Sequence, residues 1–159
     1  MARELNTVVD ALWANPMLWI PISAMAGVQL FKFIYEWIRE GDFDLHVLVR
    51  TGGMPSSHSA MVTSLATAVG LREGLDSALF AVSTVFALIV MYDARGVRQE
   101  SGKQARVVNQ IVRELFSGQP ISEQELKELL GHTPTEVIVG AILGFVYTLL
   151  VLPYFAGGR

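Results

Sequence analysis

The chain has 159 residues, 52% of them hydrophobic and 17% charged, with a mean hydropathy of +0.42. A soluble domain carries nearer about a quarter charged residues, so the balance points to lipid and away from a soluble all-helical domain. A formal net charge of −3 gives no reason to expect nucleic acid as a partner, and the lack of cysteine excludes disulfides, thiolate metal sites and cysteine nucleophiles.

Met1 to Asn15 is mixed in character and predicts a short amphipathic lead helix. From Pro16 to Ile38 runs an apolar segment interrupted chiefly by Gln29, Lys32 and Glu36. It exceeds the roughly 20 residues that one crossing needs, and it lacks the small-residue cleavage site of a secretory signal. Ser56 to Leu71 is rich in Ser, Ala, Thr and Gly, the composition of a helix packed on other helices rather than on lipid. Ser77 to Tyr92 is almost uninterruptedly apolar. Between Asp93 and His132 lies a polar insert with helical periodicity at Val107, Val108, Ile111, Val112 and Leu115, and again at Leu126, Leu129 and Leu130. It predicts two short amphipathic surface helices separated by Ser117-Gly118-Gln119-Pro120. Thr135 to Phe155 is the clearest spanning segment, with Gly140 and Gly144 spaced as a GxxxG face for an internal contact or a homodimer. The fold class expected is all-α, a polytopic helical membrane protein. It has a single domain over residues 1–159, about four membrane helices and the insert at 93–132.

Four crossings place the end of the first, the start of the second, the end of the third and the start of the fourth on one side. Arg39, Arg50, Arg95, Arg98, Lys103, Arg106, Arg113 and Lys127 fall there, against Arg3, Arg72 and Arg159 opposite. Lysine and arginine gather on the cytoplasmic side of short loops. The insert is therefore expected to face the cytoplasm from a plasma (inner) membrane, with both termini outward.

The same alternation collects the chemically unusual residues at one face. Arg50 to Ser59 opens the second segment, Asp93 to Arg98 closes the third, and Gly131 to Glu136 opens the fourth. Lys32 lies six residues inside the end of the first, about 9 Å deep at 1.5 Å per residue. Two of these stretches are helix starts, where exposed N–H groups and the positive end of the dipole attract anions. Ser56 or Ser57 can cap one start, and Gly52 and Gly53 let backbone approach a ligand closely. With Lys32, Arg50 and Arg98 they make a phosphate cradle, since the guanidinium fork bonds two oxygens at once. An imidazole can then attack phosphorus to form a phosphohistidine, while a second histidine protonates the departing alkoxide. A carboxylate on the far nitrogen of the nucleophile would fix its tautomer. Glu136, four residues after His132, is the candidate.

Pro55-Ser56-Ser57-His58 resembles the P-S-G-H motif of the type 2 phosphatidic acid phosphatase superfamily, and His132-x-x-x-Glu136 resembles its H-x-x-x-D. Three stretches together look like the divergent branch of that superfamily: Gly53 to Ala60, Tyr92 to Arg98, and Gly131 to Val137. The likeness covers about Gln29 to Gly144. It implies a helical membrane fold and metal-independent phosphatase chemistry on a phosphomonoester or diphosphate. By that likeness His132 is the nucleophile, His58 the acid and Glu136 the orienting carboxylate, with Lys32, Arg50, Ser56, Ser57 and Arg98 around the phosphate. Ser57 stands where the superfamily has glycine, and Glu136 where it has aspartate.

Each residue also has a plainer role. Thr133-Pro134-Thr135-Glu136 reads as a capping box with proline at the first helical position. Lys32 could snorkel to the interface, Arg95 and Arg106 could anchor there, and Asp93 could hold an arginine in place, with Gly53 beside it as backbone support. His46 belongs to no motif. The leading expectation is a lipid-phosphate phosphatase without cofactor, acting on a phosphorylated lipid or prenyl phosphate. A non-catalytic binder or carrier of phosphorylated lipids is the alternative. A metal-dependent hydrolase using Asp42, Asp44, Asp93 and the histidines ranks below both, because no compact ligand spacing is present.

Overall fold

The computed structural model describes residues 2–41, 43, 45–48, 53–115 and 133–156, less the side chains of 2–5, 95–103, 105, 106, 110, 113 and 114. Within them the chain is helical, without a strand. The lead helix α1 (Ala2–Trp13) turns into α2 (Pro16–Glu40) at Asn15, whose side chain accepts from the Met17 N–H at 3.0 Å. Pro16 at the first helical position loses nothing there, because that N–H has no intrahelical partner. Trp13 stacks on Trp19 with centroids 4.6 Å apart, and the Trp19 indole N–H donates to the Leu12 carbonyl at 2.9 Å. At the other end of α2, which closes on the left-handed C-cap Gly41, Phe43 packs edge-on against Phe33 and Trp37. Trp19 and Trp37 are separated by about 27 Å of helix, close to the thickness of a hydrocarbon core, and aromatic rings gather at its two interfaces.

A short 3-10 turn, Leu45–Leu48, precedes α3 (Ser57–Glu73). Seven of the nine buried positions of α3 are Ser, Ala or Gly, and that is why it can sit inside the bundle, packed on α2, α4 and α5. Its contact with α5 (Pro134–Ala156) is the tightest. A Cβ at Gly140 would run into the Ser56 carbonyl oxygen, and one at Gly144 into that of Ala60. One turn further, the Ser64 and Thr148 hydroxyls are hydrogen-bonded at 2.7 Å. The pairs 56/140, 60/144 and 64/148 advance together, so the two helices run parallel in a fixed register. Close approach through small residues and buried hydroxyl pairs is how helices associate where no hydrophobic gain separates lipid from side chain. The GxxxG face is thus an internal contact.

Among the described residues two helices, α2 and α5, are long and apolar enough to cross a membrane. α4 (Ala78–Leu115) contributes a shorter apolar stretch, Ala78–Ala94. The count of four spanning helices is therefore not reached by length and composition, since α3 has 17 residues and a length of about 25 Å. A second difference concerns the insert. Its first amphipathic helix is no separate element, because α4 continues unbroken from the apolar stretch through Asp93 to Leu115. No proline occurs between Ala78 and Leu115, and a change from apolar to polar residues does not itself end a helix. The second expected helix, at Leu126 to Leu130, lies outside the described residues.

Candidate functional site

Three helix ends meet at one end of the bundle. The α3 start is held by Ser56, wholly buried, whose hydroxyl accepts from the Ser59 N–H at 3.3 Å and from the Ser59 hydroxyl at 3.0 Å. The turn before it contains Gly53, with φ of 77°, and a cis Met54–Pro55 bond. A residue with a Cβ is strained at that φ. Ser57 is buried, and His58 is half-buried in the first turn.

The α5 start lies against this turn. The Ser56 N–H donates to the Glu136 carbonyl oxygen at 3.0 Å, so the first turns of the two parallel helices are joined through backbone. Thr133 and Glu136 form the capping box expected from their spacing. The Glu136 N–H donates to Thr133 Oγ1 at 3.3 Å, and the Thr133 N–H to Glu136 Oε2 at 3.2 Å. One carboxylate oxygen of Glu136 is therefore engaged in the cap, and the side chain remains half-buried beside the α3 start.

Lys32 reaches the same end from α2. The Tyr147 hydroxyl of α5 donates to Ser23 Oγ of α2 at 2.8 Å, which sets the relative height of the two helices. From Ser23 to Lys32 is about 13 Å of helix, and from Tyr147 back to Glu136 about 16 Å. Lys32 thus stands within a turn of the level of Glu136. The lysine is 5% exposed, so a snorkelling amine in the interface does not describe it. An ionisable side chain buried at membrane depth is costly and marks a functional position by default.

Asp93 is exposed on α4. Arg98 belongs to the same helix, and its side chain lies outside the description, as does that of Arg95. Arg50, Gly52, His132, Asp42 and Asp44 fall outside the described residues. His46 sits in the 3-10 turn. Among the described residues, no group of three or more His, Asp or Glu side chains is arranged to hold a metal ion.

Below the joined helix starts lies an apolar groove of about 270 Å³, lined by α2 (Ala24, Gly27, Val28 and Phe31), by Pro55 and Ala60, and by α5 (Leu143, Gly144 and Tyr147). Nothing in the sequence announces it: its glycines and alanines read as ordinary packing in apolar runs.

Parallel helix starts joined beside two serines and a histidine, with a buried lysine at their level, make this end of the helical membrane protein the candidate site. The chain belongs to the Divergent PAP2 family, whose model matches residues 13–147. It is 43% identical over 155 residues to a Bacillus subtilis (strain 168) protein named "Uncharacterized membrane protein YuiD", which covers 91% of this chain and 98% of that one. No solved structure matches the chain. The family match agrees with the resemblance drawn from the three motifs.

Proposed function

We propose that the chain is a membrane phosphatase acting on phosphorylated lipids, without a metal, through a covalent phosphohistidine. One observation carries the proposal: the starts of α3 and α5 are joined by the Ser56–Glu136 backbone bond at 3.0 Å. Two motifs far apart in sequence thereby become neighbours, since His58 lies in the first turn of α3 and His132 immediately precedes Thr133 in the chain. Membership of the Divergent PAP2 family supports the same chemistry.

In this mechanism the phosphate is received by the N–H groups of the two helix starts, by Lys32, and by Arg50 and Arg98. Ser57 lies in the first turn of α3 among them, and Ser56 holds that turn through its cap. The His132 imidazole attacks phosphorus, the bond to the leaving oxygen breaks, and His58 gives that oxygen its proton. Water, losing a proton to His58, then attacks the phosphohistidine and frees phosphate and the imidazole. Glu136 orients His132 with the carboxylate oxygen not used in the cap. A cation and helix dipoles held in place before the reaction stabilise the charge gathering on the phosphoryl oxygens. The charge distribution along the chain favours a site facing the cytoplasm.

The test is phosphate release by the purified protein from a panel of phospholipid and prenyl phosphates, in chelator, beside His132→Ala. Release by the wild type and a loss of at least about a thousandfold in the variant are expected for removal of a covalent nucleophile. Lipid-phosphate binding with no release by either protein would instead make the chain a binder or carrier.

A further inference from the structure

The lead helix α1 takes no part in the candidate site, since α2 carries the chain from it to the opposite end of the bundle. Among the described elements it touches only α2. At about 100° per residue, Val8, Val9, Leu12 and Trp13 fall within an arc of about 140°, while Asn6, Thr7 and Asp10 fall on the other side of the helix. The four apolar residues are 44% to 66% exposed. A two-faced helix is thus built whose apolar face the chain leaves open.

Two contacts fix how α1 meets α2, from which only Ala14 and Asn15 separate it. The Leu12 carbonyl belongs to the last turn of α1, where carbonyls have no partner within the helix, and the Trp19 indole N–H satisfies it at 2.9 Å. The Trp13 ring, at one edge of the apolar arc, stacks on Trp19. Trp19 lies three residues inside α2, so the arc is turned toward the part of α2 that enters the membrane rather than away from it. Trp19 also stands at the end of α2 far from Trp37, at the level where aromatic rings mark the edge of the hydrocarbon. Its ring holds the last turn of α1 at that level.

We propose that α1 lies in the bilayer interface of the leaflet opposite the candidate site. Val8, Val9, Leu12 and Trp13 dock on the acyl-chain boundary, and Asn6, Thr7 and Asp10 face water. The occupant of the open face is therefore lipid rather than a second copy of the chain, because the arc meets the ring that α2 places at the edge of the membrane. By sequence α1 carries one arginine against one glutamate and one aspartate, so docking is apolar and requires no anionic headgroup. The proposal does not depend on the phosphatase reading.

The test uses the full chain in phosphatidylcholine bilayers, with and without phosphatidylglycerol. The chain has no cysteine, so Asn6→Cys, Val9→Cys, Asp10→Cys and Leu12→Cys each carry one nitroxide. Electron paramagnetic resonance then measures the exposure of each label to oxygen, which concentrates in lipid, and to a nickel chelate, which stays in water. An interfacial helix sinks its apolar face about 5–10 Å below the boundary, so the oxygen-to-nickel ratio should be at least about threefold higher at positions 9 and 12 than at 6 and 10. The pattern should be the same in both bilayers. Equal ratios at all four positions, or a pattern that appears only with phosphatidylglycerol, would overturn the proposal. So would shielding of positions 9 and 12 from both reagents with spin–spin broadening between chains, which would assign the face to a second copy.

Discussion

Glu136 has two roles that a single substitution separates. Its carboxylate closes the α5 cap through the Thr133 N–H, and glutamine at that position of a capping box does the same. Glu136→Gln should therefore melt within a few degrees of the wild type. If the carboxylate also orients His132, phosphate release should fall by about a hundredfold or more, because an amide cannot stabilise the imidazolium as a carboxylate does. Full activity in Glu136→Gln would leave the residue with the cap alone. The cap itself was legible from Thr133-Pro134-Thr135-Glu136, as was the choice of Ser56 or Ser57 for α3, because both depend on side chains a few residues apart. The groove between α2, α3 and α5 was not legible, since an empty volume is a property of three helices together.

Among the elements, α3 and α5 are set by contact between backbones. Gly144→Ala places a methyl against the Ala60 carbonyl, and the helices must separate to admit it. Overpacking of this kind costs about 1–3 kcal/mol. A lowered midpoint in thermal unfolding of the detergent-solubilised protein is expected, and an unchanged midpoint would mean that the two helices can part freely. The spacing of Gly140 and Gly144 announced a contact face, though not which helix would fill it. Periodicity also located the amphipathic residues Val107, Val108 and Ile111 on a helix, all of them exposed on α4. It misplaced the start of that helix, because a shift in composition at Asp93 resembles a boundary where the backbone has no reason to stop.

At the scale of the molecule, orientation follows from the arrangement of ends. α2 and α4 finish, and α3 and α5 begin, on the side of the candidate site, whereas the turn from Gly74 to Ser77 lies opposite. The chain has no cysteine, so a single one can be introduced at Leu75 or at Gln104, both exposed, and probed in intact cells with an impermeant maleimide. Labelling at position 75 from outside and protection at 104 is expected, and the reverse pattern would put the site on the outer face. The membrane-embedded helical class was legible from composition alone, since hydrophobicity is summed over the whole chain. The number of crossings was not, because a short buried helix such as α3 and a spanning one differ little in composition.

The steady advance of the pairs 56/140, 60/144 and 64/148 has a mechanical consequence. Interlocked like the teeth of a rack, the two rods can slip only by a full notch of four residues, about 6 Å, and such a slip would carry the Glu136 carbonyl beyond reach of the Ser56 amide. The alignment of the mouth is thus dictated from the depths, where two missing methyl groups set the mesh.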